Sequence, residues 1–254
     1  AKAKLFSWSP HPACVLNAGD PFGRTLADAA RGRGQRVLTY GLASADIAAS
    51  QVANTRDGIA LSVTTPWGRG EVATRLAGTF NASNALGVLG VLVACGIELE
   101  AALAALARVK PPPGRMQRLG GGFEPLVVVD YAHSPDALEQ VLAALRPAVA
   151  AGGELICVFG CGGDRDSGKR REMGRVAGRG ADRIVVTSDN PRSEDPAAIA
   201  AAIVNGIRDV GQQKHALELD RAVAIRTAVA TAQGGDIVLV AGKGQEDYQE
   251  RLDQ

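Results

Sequence analysis

Residues 155–170, "LICVFGCGGDRDSGKR", decide how the chain folds. The run Leu155–Gly160 holds no charged or hydrogen-bonding side chain, as expected of a strand covered on both faces. A Gly-rich, charged loop follows at once, and from Lys169 to about Gly178 the pattern reads as a helix. The same strand–loop–helix unit recurs along the second half. "LVVVD" (126–130), "RIVVTS" (183–188) and "IVLVAG" (237–242) are the other buried runs. Ser134-Pro135 caps a helix whose apolar positions Leu138, Val141, Leu142 and Leu145 share one face. Further helices are expected over roughly Pro196–Val210 and Asp220–Ala232. Alternating β and α with β-branched strands gives a doubly wound, mostly parallel sheet.

In such a sheet all carboxyl ends point one way, and ligands bind in the crevice outside them. Each buried run ends in a polar cluster: "DYAHSPD" (130–136), "GCGGDRDSGKR" (160–170), "SDNPRSEDP" (188–196) and "AGKGQED" (241–247). Charges far apart in sequence therefore meet on one rim. Exposed βα loops are polar in any case, so it is the density of charge and Gly that points to a site.

Gly163, Gly168 and Lys169 nearly match a phosphate loop. However, Arg170 stands where Ser or Thr would hold a metal, and Asp164 and Asp166 would repel phosphates. Arg165 instead offers a fork to a carboxylate, against the plainer reading of a surface Arg–Asp pair. In "SDNPR", Asp189 suits an ammonium, Asn190 donates and accepts, Pro191 fixes the turn and Arg192 can clamp a carboxylate. The plainer reading is a helix cap, a job Ser193 or Asp195 can do. Asp130 sits at a strand end, where it can take a ribose hydroxyl. His133 stays open between a structural and a functional role.

The first half is mixed. "ACVLNAGD" (13–20) and "QRVLTYG" (35–41) read as strands flanking a helix at 23–34. A β-rich stretch from Ile47 to Gly78 has turn signals at Asp57-Gly58 and Gly68-Arg69-Gly70. Helices are expected at 81–96 and 98–109. "KPPPGR" (110–115) cannot continue a helix and marks the boundary between a domain over 1–112 and one over 113–254. A net charge of +1 argues against a nucleic-acid groove. No apolar run is long enough for a membrane span. Cys14, Cys95, Cys157 and Cys161 form no C-x-x-C pair, which suits a reduced, cytoplasmic setting. No strand is followed by G-x-G-x-x-G, which sets aside a nucleotide-dependent dehydrogenase.

Several stretches together carry a resemblance: "AKAKLF", "VLNAGDPFGR", "GTFNASNALG", "PPPGRMQ", "VVVDYAHSPDAL", "VFGCGGDRDSGKR", "SDNPRSEDP" and "VAGKGQEDYQ". The chain resembles the Mur ligase family, and "DNPR" resembles the motif of its diaminopimelate-adding members, the MurE type. The resemblance implies part of a central ATPase domain followed by a Rossmann-like C-terminal domain. It implies an ATP-dependent amide ligase of peptidoglycan synthesis that works through an acyl phosphate with Mg²⁺. Its substrates would be a UDP-N-acetylmuramoyl dipeptide, meso-diaminopimelate and ATP, and the protein would be a cytoplasmic monomer with no nucleic-acid partner. By position, the diaminopimelate contacts fall on Arg165, Asp189, Asn190, Pro191, Arg192, Gly242 and Glu246. Nucleotide contacts fall on Asn81, Arg115, Asp130 and His133. Lys2 matches the lysine that the family carries as a carbamate, whose oxygen anion would favour Mg²⁺. The pattern departs at Gln245, where relatives often have His, and at Gly19, where Asp is common. The family's phosphate loop is not within these residues, so the expectation is half of an enzyme, inactive alone. A non-catalytic binding module and a folylpolyglutamate synthetase-like ligase are the alternatives.

Overall fold

The computed structural model describes residues 2–7, 13–55, 58–76 and 78–250. The chain divides into two compact units, Ala1–Lys110 and Pro111–Gln254.

In the first unit a 3-10 turn (Lys2–Ser7) precedes β1 (Cys14–Asn17), α1 (Pro21–Gly32), β2 (Val37–Gly41), β3 (Ile47–Thr55), β4 (Gly58–Thr65), β5 (Gly68–Thr74), α2 (Thr79–Ala94) and α3 (Leu99–Ala107). The five strands lie in sequence order. β1, β2 and β3 are parallel, and β3, β4 and β5 form an antiparallel meander. Asp20 caps α1 by accepting from the Phe22 N–H at 2.9 Å, with Pro21 just inside the start. Ile47, Ile59, Leu61 and Val63 of the meander bury themselves against Leu86 and Leu89 of α2 and Leu103 and Leu106 of α3.

One expectation fails here. Gly68-Arg69-Gly70 is not a turn; it opens β5. The turn falls at Pro66-Trp67, where the Thr65 hydroxyl bonds to the Gly68 carbonyl at 3.0 Å and accepts from the Trp67 N–H at 3.1 Å. Gly70 is needed for packing, since a Cβ there would run into the Leu103 side chain. At the other expected turn, Asp57 lies outside the described residues and Gly58 opens β4.

The second unit contains β6 (Gln117–Gly120), β7 (Leu126–Asp130), α4 (Pro135–Leu145), β8 (Leu155–Phe159), α5 (Gly168–Gly180), β9 (Arg183–Val186), α6 (Pro196–Asp209), β10 (His215–Leu217), α7 (Arg221–Thr231) and β11 (Ile237–Ala241). The strand order is β10-β9-β8-β11-β7-β6. All pairings are parallel except β6 with β7, an antiparallel edge. β8 and β11 are buried at every residue. Ile156, Val158, Val238 and Val240 pack on Ala224 and Ala228 of α7. The alternate residues Leu155, Cys157, Phe159 and Leu239 are just as buried, so the opposite face is covered too. β11 inserts between β7 and β8, which sets the ends of β9, β8, β11 and β7 side by side. The four polar clusters follow those four ends.

Candidate functional site

Hydrogen bonds join the four clusters into one continuous rim of the second unit. Lys169 Nζ donates to the His133 carbonyl at 2.8 Å, tying the loop after β8 to the loop after β7. The Gly163 N–H donates to the Asn190 carbonyl at 2.8 Å, and Arg192 Nη1 donates to the Gly163 carbonyl at 2.7 Å. Both bonds need the chains close together: a Cβ on Gly163 would overlap the Pro191 carbonyl oxygen. Asn190 Nδ2 donates to Glu246 at 3.2 Å, linking the loop after β9 to the one after β11. The Gly242 N–H closes the circuit by donating to the Asp130 carbonyl at 3.1 Å.

Arg165 and Arg192 flank Gly162. A Cβ there would lie 3.0 Å from Arg192 Nη1 and 3.9 Å from Arg165 Cγ. Arg165 is exposed and Arg192 half-buried, while Asn190 and Pro191 are buried. Asp189 turns one carboxylate oxygen to the Asn190 N–H at 2.8 Å and faces Gly242 with the other, 2.9 Å from where a Cβ would sit. Two cations, Arg165 and Arg192, and three oxygen-bearing groups, Asp189, Asn190 and Glu246, thus share this rim. Burial alone would raise the Glu246 carboxyl, but Lys243, Asn190 and Tyr131 outweigh it and hold the group below its usual range.

Four groups that had no role in this rim on the sequence reading complete it. Lys243 is buried and donates to Asn190 Oδ1 at 2.8 Å and to Glu246 at 3.0 Å. Arg221 donates to the Ser188 carbonyl at 3.2 Å and the Ala241 carbonyl at 2.9 Å, so one guanidinium holds two strand ends together. Burial lowers the affinity of Arg221 for its proton, and Asp189 and Glu246 oppose that. Arg170 forks onto Glu194 at 2.7 and 2.8 Å. That pairing, with the Asp164 N–H, brings the Glu194 carboxyl down to about 2. The only sequence signal for Lys243, Arg170 and Glu194 was their position within a polar cluster, and Arg221, at the start of α7, had none.

The capping reading of 188–196 resolves between its two candidates. Asp195 caps α6 by accepting from the Ala197 N–H at 2.9 Å. Ser193 instead gives its hydroxyl and its N–H to Asp164, at 2.5 and 3.1 Å. Asp164, which stands at φ 51°, and Asp166, which accepts from the Gly168 N–H, are therefore spent in loop geometry.

Around β7, Asp130 is 7% exposed and accepts from two backbone N–H groups, Met116 and Ala132, each at 2.8 Å. Burial raises its carboxyl despite those two donors. Asp130 thus has a structural task that the sequence reading did not give it: it pins Met116 at φ 48°, and the neighbouring Arg115 guanidinium lies 4.4 Å over the Tyr131 ring. His133 is exposed, with Nδ1 2.9 Å from the Tyr131 carbonyl and its ring edge-on to Tyr131 at 4.8 Å. Asn81 lies in the first turn of α2 in the other unit and accepts from Asn84 Nδ2 at 3.1 Å. Lys2 opens the 3-10 turn, but its side chain lies outside the described residues. Among the described residues no group of three or more His, Cys, Asp or Glu could hold a metal ion. A hollow of about 520 Å³ in the first unit is lined by residues that include Arg24, Asp28, Arg31 and Asp46. Arg31 pairs with both Asp28 and Asp46 there, at 3.6 and 3.7 Å, so these charges satisfy one another. All four cysteines are free thiols, and burial pushes Cys157 and Cys161 up to about 12. Among the described residues no helix is long and apolar enough to cross a membrane.

Known proteins show the same two-part pattern. Residues 1–92 match the Mur ligase middle domain, and residues 114–244 match the Mur ligase glutamate ligase domain. A UDP-N-acetylmuramoyl-L-alanyl-D-glutamate–2,6-diaminopimelate ligase of Chromobacterium violaceum is 52% identical over 98% of this chain and 50% of its own length. Its counterpart in Pseudomonas aeruginosa is 48% identical, with the same coverage. The solved structure of a ligase with that same title superposes with a TM-score of 0.67 at 38% identity, over 98% of this chain and 51% of that one. A Mycobacterium tuberculosis folylpolyglutamate synthase shares the fold at 23% identity and a TM-score of 0.73, over 95% of this chain and 55% of its own. The chain spans about half the length of the curated relatives it matches. On the combined match of both domains, the chain belongs to the Mur ligase family.

Proposed function

We propose that this chain forms the amino-acid-receiving half of an ATP-dependent ligase that adds meso-2,6-diaminopimelate to UDP-N-acetylmuramoyl-L-alanyl-D-glutamate. The observation that carries the reading is the rim that brings Arg165 and Arg192 together with Asp189, Asn190 and Glu246. One end of diaminopimelate is a zwitterion that lysine lacks. Its carboxylate would meet the two guanidinium groups, and its ammonium the three oxygen-bearing groups. Pro191 fixes the turn between them, and Gly242 leaves room beside Asp189 for the ligand's backbone-like end. The relatives named for this reaction, at about half identity, support the same assignment.

In this reaction the γ-carboxylate of the D-glutamate attacks the γ-phosphorus of ATP, and ADP leaves. The free amine at the near end of diaminopimelate then attacks the acyl phosphate, phosphate departs and the amine loses a proton. Holding the far end on Arg192 and Glu246 would aim the near amine, which is catalysis by orientation. Arg115, Asp130, His133 and Asn81 are proposed for the nucleotide, with Arg115 stacked on Tyr131 and so pre-oriented. A carbamate on Lys2 would supply an oxygen ligand for Mg²⁺. Four free thiols accord with a reducing, cytoplasmic location.

The test is product formation by the full gene product. Given ATP and the UDP-muramoyl dipeptide, ADP release and an amide product of the expected mass should require diaminopimelate and fail with lysine. Equal turnover with lysine would overturn the specificity, and no turnover with either would overturn the activity.

A further inference from the structure

Arg192 already holds a carboxylate of its own chain. Its Nε lies 2.7 Å from Glu250 Oε2, with Glu250 about half exposed. A guanidinium offers a carboxylate two forks: the side made by Nε and Nη2, and the end made by Nη1 and Nη2. Glu250 stands at Nε at ion-pair distance, and the Gly163 carbonyl takes Nη1 at 2.7 Å. A ligand carboxylate approaching this guanidinium therefore meets an internal partner at Nε and another at Nη1.

The segment that delivers Glu250 is neither helix nor strand, and polar tethers to the loop after β9 hold it. Gln249 Nε2 donates to the Asp189 carbonyl at 2.6 Å, the Glu250 N–H donates to Asn190 Oδ1 at 2.9 Å, and the Arg192 N–H donates to the Glu250 carbonyl at 3.1 Å. These tethers reach Asp189, Asn190 and Arg192, three residues assigned to the amino acid. Lys243 places an ammonium on the same Asn190 oxygen and on Glu246. One internal carboxylate and one internal ammonium thus engage the rim's charged and polar groups.

We infer that Glu250 is an internal surrogate for the ligand's far carboxylate, and that residues 249–250 form a strap which amino-acid binding displaces from Arg192. The inference rests on the proposed diaminopimelate reading of this rim and deepens it: affinity is set by an exchange of carboxylates on one guanidinium. Lys243 lies beneath, buried, and stays in place, because moving it would leave a buried cation without its partners.

The test is calorimetric titration of the protein with meso-diaminopimelate and, separately, L-lysine, for the unaltered chain, Glu250→Gln, Glu250→Ala and Arg192→Lys. Removing the competitor should tighten diaminopimelate binding on the order of fivefold in both Glu250 variants, the scale of a part-exposed ion pair. Lysine, which has no second carboxylate, should show no gain. A residue that merely supported the loop would weaken binding when changed. Unchanged or weaker diaminopimelate binding in both Glu250 variants, with binding in the unaltered chain still lost in Arg192→Lys, overturns the strap and leaves the pocket standing. Absence of diaminopimelate binding in every form overturns the pocket and the strap together.

Discussion

Arg170, almost fully buried, and Glu194 face each other fork to fork, with Nη1 2.8 Å from Oε2 and Nη2 2.7 Å from Oε1. The pair spans the loop after β8 and the loop after β9, and Glu194 also receives the Asp164 N–H. Neither residue is assigned to the ligand, yet together they fix the two loops that carry Arg165 and Arg192.

The pair makes stability depend on acid in a defined window. Glu194 falls from an ordinary value of 4.5 to about 2 in the folded chain. A depressed carboxyl contributes stability that is fully present above its unfolded value and is lost as pH falls through the folded one. Thermal midpoints should therefore drop between about 4.5 and about 2, and Glu194→Gln should drop less over that window while starting lower at neutral pH. Asp209, brought to about 2 by Arg171 and Arg175, acts in the same window and remains in the variant, so the slope should be reduced and not abolished. Scanning calorimetry across pH measures this, and identical slopes for the two proteins would count against the pair.

Gly163→Ala should be damaging even though the change is conservative. The added methyl overlaps a backbone carbonyl, Pro191 O, which cannot swing aside as a side chain would. A loss of about 2 kcal/mol is expected, with weakened amino-acid binding. Gly32→Ala, at the last residue of α1 with nothing within 4 Å of the new methyl, is the matched control. It should be neutral or gain up to about 1 kcal/mol. Urea titration of the two variants makes the comparison.

Asp130→Ala removes the acceptor of two backbone N–H groups at once. Leaving both short of partners should cost about 3 kcal/mol in urea denaturation. Asp130→Asn should recover part of that, since its amide oxygen still accepts. If Asp130 instead served a nucleotide alone, both variants would keep full stability while losing ATP affinity.

These relationships mark where the sequence spoke and where it did not. β8 and β11 are uninterrupted apolar runs because both of their faces are covered, and β7 and β9 carry the same β-branched pattern, with Asp130 at the end of β7 and Arg183 at the start of β9. β6 and β10 are short edge strands, "QRLG" and "HAL", with too little burial to leave a pattern. Gly68–Gly70 misled because glycine marks close packing as readily as it marks a turn, and here Leu103 supplies the neighbour. The rim was readable because each of its four clusters follows a strand end. Lys243, Arg221 and Glu250 were not, since their roles arise from which strand ends the order β9-β8-β11-β7 sets together. Asp130 drew notice for its strand-end position, whereas its hold on Met116 comes from the turn before β6 folding back across β7.

The central claim is that Arg192 and its neighbours select an amino acid with a second zwitterionic end. Calorimetric titration of meso-diaminopimelate against L-lysine, on the unaltered chain and on Arg192→Lys, tests it most directly. Diaminopimelate should bind roughly tenfold or more tighter than lysine, with the preference gone in the variant because an ammonium cannot reproduce the guanidinium fork. Equal affinity of the unaltered chain for both amino acids would contradict it.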